Sequence, residues 1–358
     1  FLGDLSQLAP VTRGSRKVVA SKALTMEQPS HNLTEVMRAG NSALLNESVY
    51  VRENGGFSFN TDMTDSAGVA FTKSGRLFAD KLLAMFKSDA FKKNPLLLRY
   101  LAYTNDRVTA INSFIRKNLY GENAAPYVEG DLLMGYNRFG EGIKNGVDYM
   151  VRGKPTKTTM RIAGVDVPIY QMTVEPAFGL NRDKFSIPIA DPSITSEKKQ
   201  EIRAAIQQLL DDAKKDRSKW KVFYAAREAV AWSYPLGQTS KPNDSSLITK
   251  TIDYGYAHTV HKSQGGTYTY AFVDEIDISR ADPDTYEKLS YVALTRASKG
   301  TFVYTSNDVT VTAPVTEKAK PQQLEVKAEV VPETAPDPVP NVRKSDEVVA
   351  PVQEEVAV

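Results

Sequence analysis

Two stretches of the chain show the same alternation of strand and helix patterns, and a stretch of different character separates them. Residues 96–103 form a short apolar run, and helical spacing follows from 108 to 119. Strand-like runs at 268–273 and 301–304 enclose a helical segment at 285–297. A short apolar run that leads into a helix is typical of a buried parallel strand. We therefore predict one α/β domain, a parallel sheet with flanking helices, that the chain builds from two separate parts.

The residues between these parts predict an antiparallel insertion. From Val128 to about Tyr254, short β-type runs alternate with Gly, Pro and Asn turns, which is typical of a small barrel. Residues 196–215 place apolar side chains on one side of an amphipathic helix, and residues 220–232 continue helically with four aromatic side chains. The β-type runs are 131–136, 147–152, 158–162 and 165–174.

The remaining segments predict helices, a loop and a disordered tail. Residues 33–51 and 73–87 have helical patterning, the first with a break at Gly40-Asn41. Residues 55–68 are rich in Gly, Ser, Thr, Asn and Asp, which predicts a loop. Beyond Ser306 the chain contains no aromatic residue and is rich in Pro, Glu, Val, Lys and Ala, so we expect it to be disordered.

Charge and composition exclude several classes of protein. The net charge is +2, but the segment from Val309 onward carries five Lys/Arg and nine Asp/Glu, so the rest of the chain is basic. A basic body suits a polyanionic partner. With no cysteine and three histidines, disulfides and a zinc cluster are not expected. No run approaches the roughly 20 apolar residues of a membrane span, and we expect a cytoplasmic protein.

The segment 258–265, His-Thr-Val-His-Lys-Ser-Gln-Gly, concentrates groups that bind a nucleic-acid backbone. Hydroxyls, an imidazole and a lysine before glycines can hold sugar and phosphate without reading bases. The alternatives are a buried core histidine at His261 and a plain turn at Gly265-Gly266. Tyr254 and Tyr256, just before this segment, are either packing residues or base-stacking platforms, and we favour packing. The predicted DNA-binding residues here are Thr259, His261, Lys262 and Ser263.

Thr104 and Asn105 follow the apolar run 96–103, where a strand turns into a helix. One interpretation is that they bond a backbone phosphate at the amino end of that helix. The other is that one of them simply caps the helix. Both interpretations stay open at this stage.

Three further segments suit phosphate chemistry. Gly3-Asp4 predicts a tight turn at the end of a strand, and Gln7 can hydrogen-bond a phosphate or an attacking water. Arg38 and Arg296 lie in Leu-Thr-Glu-Val-Met-Arg and in Tyr-Val-Ala-Leu-Thr-Arg-Ala. Arginine is always charged and binds phosphate through two nitrogens. A common turn and surface arginines are the competing interpretations.

The loop Gly-x-x-x-x-Gly-Lys-Ser/Thr, which cradles nucleotide phosphates, does not occur in this sequence. Phe1-Leu2 before the Gly3-Asp4 turn is typical of the end of a buried strand. We therefore expect that residues upstream of this chain supply the phosphate loop. The alternative is a split enzyme with a separate partner polypeptide.

Taken in order, these segments resemble the later motifs of superfamily-one DNA helicases, most closely the Dda helicases of tailed phages, which are relatives of RecD. The resemblance implies a RecA-like, P-loop NTPase-type second motor domain with an inserted SH3-like barrel and a helical extension. It also implies 5′ to 3′ movement along single-stranded DNA, driven by magnesium-dependent ATP hydrolysis. The expected parts are the end of the first RecA-like domain (1–30), the second RecA-like domain (31–127 and 254–306), the insertion (128–253) and the tail (307–358).

The resemblance also implies roles for individual residues. Gln7, Arg38 and Arg296 would act on the γ-phosphate, and Gly3, Asp4 and Gly265 would lie at the nucleotide. ATP and Mg²⁺ would be bound mainly by the missing first motor half, so this chain alone is expected to lack ATPase activity. The expected partners are single-stranded DNA, that first half, and replication or single-strand-binding proteins.

Two other functions remain open. The chain could be a non-enzymatic module that binds single-stranded DNA, left by a split or decayed helicase gene. It could also derive from an RNA helicase of an RNA virus, although the barrel insertion argues against this. An upstream reading frame that encodes the phosphate loop would distinguish the first alternative from a helicase.

Overall fold

A computed structural model describes residue 8 and residues 42–179, 182–236 and 247–311 of the chain. The predicted nucleotide residues Gly3, Asp4, Gln7 and Arg38 lie outside these residues, as does nearly all of the predicted first domain. The tail beyond residue 311 also lies outside them.

A seven-stranded sheet forms the centre of the molecule, and we call it the main sheet. Its order is β12-β1-β2-β11-β10-β3-β9, and β2, β11, β10, β3 and β9 are all parallel. β1 pairs antiparallel with β2 and parallel with β12. The strands are β1 (Asn60–Thr64), β2 (Ala67–Thr72), β3 (Leu98–Ala102), β9 (Ala257–Thr259), β10 (Tyr268–Asp274), β11 (Ala297–Tyr304) and β12 (Thr310–Val311).

Helices cover both faces of the main sheet. Alternate residues of the strands point to opposite faces, so Val273 joins one core cluster while Phe272 joins the other. The first cluster contains residues of α1, α7 and α8, and the second contains residues of α2, α3 and α4. This arrangement confirms the predicted α/β fold with a parallel sheet. The helices are α1 (Ser42–Asn54), α2 (Gly75–Lys87), α3 (Asp89–Lys93), α4 (Asn105–Tyr120), α7 (Glu275–Ile278) and α8 (Pro283–Leu294).

A second sheet is built from residues between α4 and β9. Its five strands are antiparallel in the order β7-β6-β5-β4-β8, and the long pair β5 and β6 forms a hairpin. Two helices with a short 3₁₀ turn (Arg217–Lys219) between them pack on this hairpin through a shared apolar cluster. The elements are β4 (Leu132–Gly135), β5 (Asp148–Ile162), β6 (Val165–Pro176), β7 (Phe185–Ala190), β8 (Ile252–Tyr254), α5 (Ser196–Lys215) and α6 (Trp220–Arg227). The SH3-like character of this part and the domain boundaries stay predictions.

Only Gly255 and Tyr256 connect the second sheet to the main sheet between β8 and β9. Gly255 packs so tightly that a Cβ atom would lie 3.1 Å from the backbone of Leu133. Tyr256 is fully buried, and its carbonyl accepts from the N–H of Tyr100 in β3 at 3.1 Å. The interpretation of Tyr256 as a packing residue is therefore confirmed.

Several local predictions were wrong. Residues 55–68 are not all loop, because β1 and the start of β2 lie there, joined by Asp65 and Ser66 with φ of 52° and 61°. The sequence of β1, Asn-Thr-Asp-Met-Thr, has no apolar face because the strand lies near the edge of the sheet. Residues 307–311 are ordered, since Thr310 and Val311 form β12 beside β1.

The helices that follow also differ from prediction. The helix predicted over 220–232 ends at Arg227, because Ala231 instead exchanges backbone hydrogen bonds with Pro188 and Ala190 at 2.9 Å each. The helix predicted over 285–297 runs from Pro283 to Leu294, and β11 begins at Ala297. β7 was not predicted because it contains Pro188, which a strand tolerates at the edge of a sheet, where β7 lies. Among the residues described, every helix is too short or too polar to cross a bilayer.

Candidate nucleic-acid interface

The carboxyl ends of β3 and β9 bring two polar segments together. The strands are parallel neighbours, with Ala102 opposite Thr259, and the N–H of Val260 donates to the carbonyl of Ala102 at 2.8 Å. The rings of Tyr103 and His261 lie side by side just beyond, with centroids 6.2 Å apart. We call this edge of the main sheet the carboxyl edge. Five predicted DNA-binding residues are at or near it: Thr104, Asn105, Thr259, His261 and Lys262.

Thr104 caps α4 and is held by a buried carboxylate. Its hydroxyl accepts from the N–H of Arg107 at 3.3 Å and donates to Asp277, whose oxygens lie 3.0 and 3.1 Å away. The N–H groups of Tyr103 and Thr104 also donate to Asp277, at 2.9 and 2.7 Å. The interpretation of Thr104 as a helix cap is confirmed. Asn105 is exposed at the first position of α4, beside amide groups that a helix start leaves unbonded within the helix.

Two aspartates that were not predicted from the sequence hold the other side chains of this edge in place. Asp274 ends β10, accepts from the hydroxyl of Tyr100 and the Nε of Arg107, and caps α7. Asp277 is nearly buried and holds Thr104 as described. The signal was present in the sequence, because Asp274 follows the apolar run 268–273 just as polar residues follow 96–103. An aspartate there suits the carboxyl end of a parallel strand.

The segment after β9 folds into consecutive turns. The N–H of Lys262 donates to the hydroxyl of Thr259 at 3.2 Å, and the hydroxyl of Ser263 donates to the carbonyl of Val260 at 2.8 Å. Ser263 is 1% exposed, so its hydroxyl faces the protein, and its contact with DNA stays a prediction. Gly265 has a φ of +84°, a conformation that glycine adopts without strain.

The second sheet holds the side chain of Lys262. Its ammonium group donates to the side-chain oxygen of Asn145, in the loop between β4 and β5. Two ammonium groups lie near the ring of Tyr136, that of Lys262 at 5.1 Å from the ring centroid and that of Lys250 at 4.7 Å. Burial lowers the pKa of Lys262, and the carboxylate of Asp148 opposes that shift. Lys262 is thus a charged group at a junction between the two sheets, which sequence reasoning did not reveal.

The two histidines of the segment have different environments. His261 is half-buried, and burial lowers its pKa, so its imidazole is neutral at pH 7. His258 is fully buried, and burial together with the charges of Arg99 and Lys262 holds its pKa well below the usual value. Its Nδ1 lies 3.4 Å from the hydroxyl of Tyr268, and its Nε2 lies 3.9 Å from a carboxylate oxygen of Asp148. His261 therefore lies toward the surface, and His258 belongs to the core beneath it.

Arg296 lies at the opposite edge of the main sheet. It immediately precedes β11, as Gly266 closely precedes β10, so both are at the amino ends of parallel strands. The guanidinium donates to the carbonyls of Val292 and Gly266 at 3.0 and 3.3 Å and to the hydroxyl of Thr295 at 3.1 Å. Arg296 is 3% exposed. Residues 260–266 therefore run from the carboxyl edge to a contact with Arg296 at the other edge.

Comparison with protein families identifies one matching region. Residues 254–304 match the UvrD-like helicase C-terminal domain. This match confirms the resemblance of that region to the C-terminal part of superfamily-one helicases. The narrower resemblance to Dda and RecD stays a prediction. No curated protein matches the chain.

Solved structures of Pif1 helicases share low similarity with the chain. Bacteroides Pif1 in complex with ADP-AlF₃ and single-stranded DNA is 14% identical, with a TM-score of 0.39 over 88% of this chain and 62% of that one. Pif1 from Candida albicans is 14% identical, with a TM-score of 0.37 over 76% of this chain and 55% of that one. The chain thus spans less than two thirds of the length of either protein.

Proposed function

We propose, from the UvrD-like helicase C-terminal domain in residues 254–304, that this chain is the C-terminal motor part of an ATP-dependent DNA helicase. The observation that carries the proposal is the segment 260–266. Lys262 lies at one end of this segment, near the carboxyl edge, and the carbonyl of Gly266 bonds to Arg296 at the other end. A motor needs such a connection, because a change at the nucleotide must reach the DNA.

The carboxyl edge suits a sequence-independent contact with single-stranded DNA. Lys262 supplies a positive charge, and Asn105 supplies an exposed amide at the start of α4, where anions bind favourably. The neutral imidazole of His261 can donate or accept a hydrogen bond without adding charge. Contacts of this kind bind phosphate and sugar rather than base edges, as translocation along any sequence requires.

Arg296 is the proposed arginine finger of the nucleotide edge. In the described residues its donors are satisfied by protein oxygens, so they offer no preformed phosphate cradle there. ATP with Mg²⁺ would supply the free energy of translocation, and the upstream half of the protein would bind both. Gly3, Asp4, Gln7 and Arg38 are proposed from the sequence to complete that site, with Gly265 contributing flexible backbone.

The finer features of the whole protein are also part of this proposal. They are 5′ to 3′ movement, a split second motor domain with an SH3-like insertion at 128–253, a cytoplasmic location and replication or single-strand-binding proteins as partners. Duplex unwinding with oligonucleotides that carry a single-stranded tail on either end tests the polarity in the full-length helicase.

Binding of labelled single-stranded DNA by this chain tests the carboxyl edge. We expect Lys262→Ala to weaken binding and to lower the dependence of log affinity on log salt by about 0.7, the value for one phosphate contact on a single strand. Asn105→Ala should weaken binding without changing that slope. Lys92→Ala, a lysine exposed on α3, is the matched control and should change neither quantity. Unchanged affinity and slope for Lys262→Ala would contradict the proposal.

ATP hydrolysis distinguishes the proposed helicase from the alternative function, a DNA-binding module without enzymatic activity. We expect no steady phosphate release by this chain alone, and release once the upstream motor half is joined to it. Arg296→Ala should then abolish release by the joined protein. If the chain alone releases phosphate and Arg296→Ala removes that release, the expectation that hydrolysis requires the upstream motor half is wrong. A joined protein that binds DNA but never hydrolyses ATP would favour the alternative.

A further inference from the structure

An aromatic pair lies on the solvent side of α6, far along the second sheet. Trp220 and Tyr224 are four residues apart and therefore share one face of the helix. Their rings are stacked, with centroids 5.6 Å apart and planes 27° from parallel. Tyr224 is 45% exposed and Trp220 is half-buried, while Phe223 beside them is buried and anchors the helix. A stacked pair of this kind presents a flat aromatic ring to solvent, next to Val222, which is also exposed.

Positive charge surrounds this pair. Residues 211–228 contain six Lys or Arg and four acidic residues, Asp211, Asp212, Asp216 and Glu228, and Lys214 pairs with Asp211 at 3.3 Å. The carboxylate of Asp216 is occupied, because it accepts from the N–H and hydroxyl of Ser218 at 3.0 and 2.8 Å. Arg217 lies one 3₁₀ turn before Trp220, and Arg227 lies three residues after Tyr224, so arginines flank the rings along one face. Lys215, Lys219 and Lys221 are exposed beside them.

The location separates this patch from the candidate interface at the carboxyl edge. α5 and α6 pack in the apolar cluster that contains Ile162 and Val165, the two residues at the end of the β5–β6 hairpin. β5 begins at Asp148, close to Lys262, and its fifteen residues extend roughly 45 Å at about 3.3 Å per residue. The aromatic pair therefore lies on the distant part of the insertion.

We propose that Trp220, Tyr224 and the surrounding Arg217, Lys219, Lys221 and Arg227 form a second site for single-stranded DNA. A base stacks on the exposed ring of Tyr224, and the arginines and lysines contact the adjoining phosphates. This combination of stacking ring and cationic flanks binds single strands with little base preference. The choice of DNA as the ligand rests on the proposed helicase function, whereas the stacking and charge contacts do not depend on nucleotide hydrolysis.

The two tryptophans of the chain allow a direct test. Trp232 is 1% exposed and its indole N–H has no hydrogen-bond partner in the described residues, so Trp232→Phe removes no hydrogen bond there. In this variant Trp220 is the one tryptophan that remains, so the tryptophan fluorescence comes from Trp220 alone. We expect a hexathymidylate oligonucleotide to quench its fluorescence with saturation. Should Trp232→Phe fail to fold, the same titration of the unmodified chain serves, because an oligonucleotide does not reach the buried Trp232.

Matched variants assign the binding to this patch. Tyr224→Ala, and Arg217→Glu combined with Lys221→Glu, should each weaken the titration by about five- to tenfold, as expected for one lost stacking contact or two lost phosphate contacts. Tyr50→Ala, an aromatic residue of similar exposure on α1, and Lys92→Glu with Lys93→Glu should leave it within twofold. Equal weakening in the controls, or no quenching at all, would overturn the proposal.

Three further comparisons test whether this patch is a site for RNA alone, a surface for acidic protein segments or a part of the carboxyl edge. Hexauridylate should bind about as well as hexathymidylate, since neither contact uses the 2′-hydroxyl. Binding of hexauridylate alone would overturn the assignment to DNA, and quenching by polyglutamate without quenching by either oligonucleotide would identify an acidic protein segment instead. Lys262→Ala should leave the Trp220 titration within twofold even where it weakens binding at the carboxyl edge. Loss of the Trp220 signal in Lys262→Ala would show that no separate site exists.

Discussion

Two ion pairs join the second sheet to the main sheet and its helices, and they differ in how fully their polar atoms are bonded. On α4, Arg116 pairs at 3.0 Å with Asp131, the residue before β4. On β3, Arg99 pairs with Asp148, the first residue of β5. Both arginines are buried or nearly so, and both carboxylates are at most 5% exposed.

We call the pair on α4 fully bonded, because none of its buried side-chain polar atoms lacks a hydrogen bond within the described residues. The Nε of Arg116 lies 3.1 and 3.2 Å from the two oxygens of Asp131, and its Nη2 also donates to the carbonyl of Ala125. Asp131 in turn accepts from the N–H of Val128 at 2.8 Å and from the hydroxyl of Tyr256 at 2.9 Å. This network therefore satisfies the charges that burial removes from water.

The pair on β3 leaves atoms without partners. Arg99 donates to Asp148 and to the carbonyls of Pro95 and Leu98. Within the described residues, three buried atoms around it have no hydrogen bond: the Nε of Arg99, one oxygen of Asp148 and the Nε2 of His258. An arginine–aspartate pair can therefore stabilise one junction, as we infer for Arg116 and Asp131. The same kind of pair can contribute little at another junction, as we infer for Arg99 and Asp148. The difference lies in the neutral donors and acceptors around them.

The largest expected effect comes from breaking the fully bonded pair. Arg116→Met leaves Asp131 buried without its counter-charge, and we expect a loss of about 3–5 kcal/mol in the free energy of unfolding. Urea denaturation followed by circular dichroism measures it. Lys117→Met, next to it on α4 with an exposed ion pair to Glu122, should cost less than about 1 kcal/mol. Equal losses in the two variants would show that the buried pair of Arg116 contributes no more to stability than the exposed pair of Lys117.

Replacing both members of each pair sharpens the comparison. Arg116→Met with Asp131→Val leaves the N–H of Val128 and the hydroxyl of Tyr256 without an acceptor, so we expect a loss of about 2–3 kcal/mol. Arg99→Met with Asp148→Val removes groups that are already incompletely bonded. The free energy of unfolding of that double variant should lie within about 1 kcal/mol of the value for the unmodified chain, or exceed it. A larger loss at positions 99 and 148 than at 116 and 131 would reverse our interpretation.

The incompletely bonded pair should also make stability depend on pH through His258. Its pKa is lower in the fold than in the unfolded chain, so its contribution is present above about pH 6.5 and is lost as pH falls toward the native pKa. Between about pH 7.5 and 5.5 we expect the chain to lose stability relative to His258→Gln, by at most about 1.4 kcal/mol.

Urea denaturation at both pH values measures this difference. Burial raises the pKa of Asp148, so protonation of that carboxyl acts in the opposite direction, and the comparison with His258→Gln separates the two groups. His261→Gln, at a half-buried histidine, should remove less of the pH dependence. A pH dependence that is identical with and without His258 would show that this histidine does not titrate differently in the fold.

The smallest expected effect concerns the exposed contact across the same junction. Asn145→Ala removes the acceptor for Lys262, and because the bond is exposed we expect a change in unfolding free energy below about 0.5 kcal/mol. Binding of single-stranded DNA should change by only a few-fold, since Tyr136 still lies beside the ammonium group. Fluorescence anisotropy measures the binding, with Asn118→Ala, an exposed asparagine on α4, as the control. A stability loss comparable to that of Arg116→Met would place this contact among the buried ones.

The central strands β3 and β10 of the parallel sheet were predictable because a short apolar run that leads directly into a helix is compatible with few other structures. Residues 96–103 and 268–273 contain β3 and most of β10, and the predicted helix 196–215 is α5 without change. β1 was missed because a strand near the sheet edge has no need of apolar residues. The amphipathic signal therefore reports burial, and it fails where a strand is exposed.

The candidate site was only partly predictable for a different reason. Thr104, Asn105 and Lys262 were found because each belongs to a short local motif. Asp277 was missed because its partner Thr104 is 173 positions away in the sequence, and Asn145 because its partner Lys262 is 117 positions away. Contacts of this range depend on the sheet order, which the sequence patterns did not determine.

The two connections of the second sheet have unequal lengths. Residues 121–131 on one side form a long link, whereas Gly255 and Tyr256 alone separate β8 from β9 on the other. The long link is held to α4 through Ala125 and Asp131, which bond to Arg116, whereas the short link passes any displacement of the second sheet directly to His258 and Thr259. A force on the insertion would therefore displace β9, the strand that leads to Lys262, before the other strands of the main sheet.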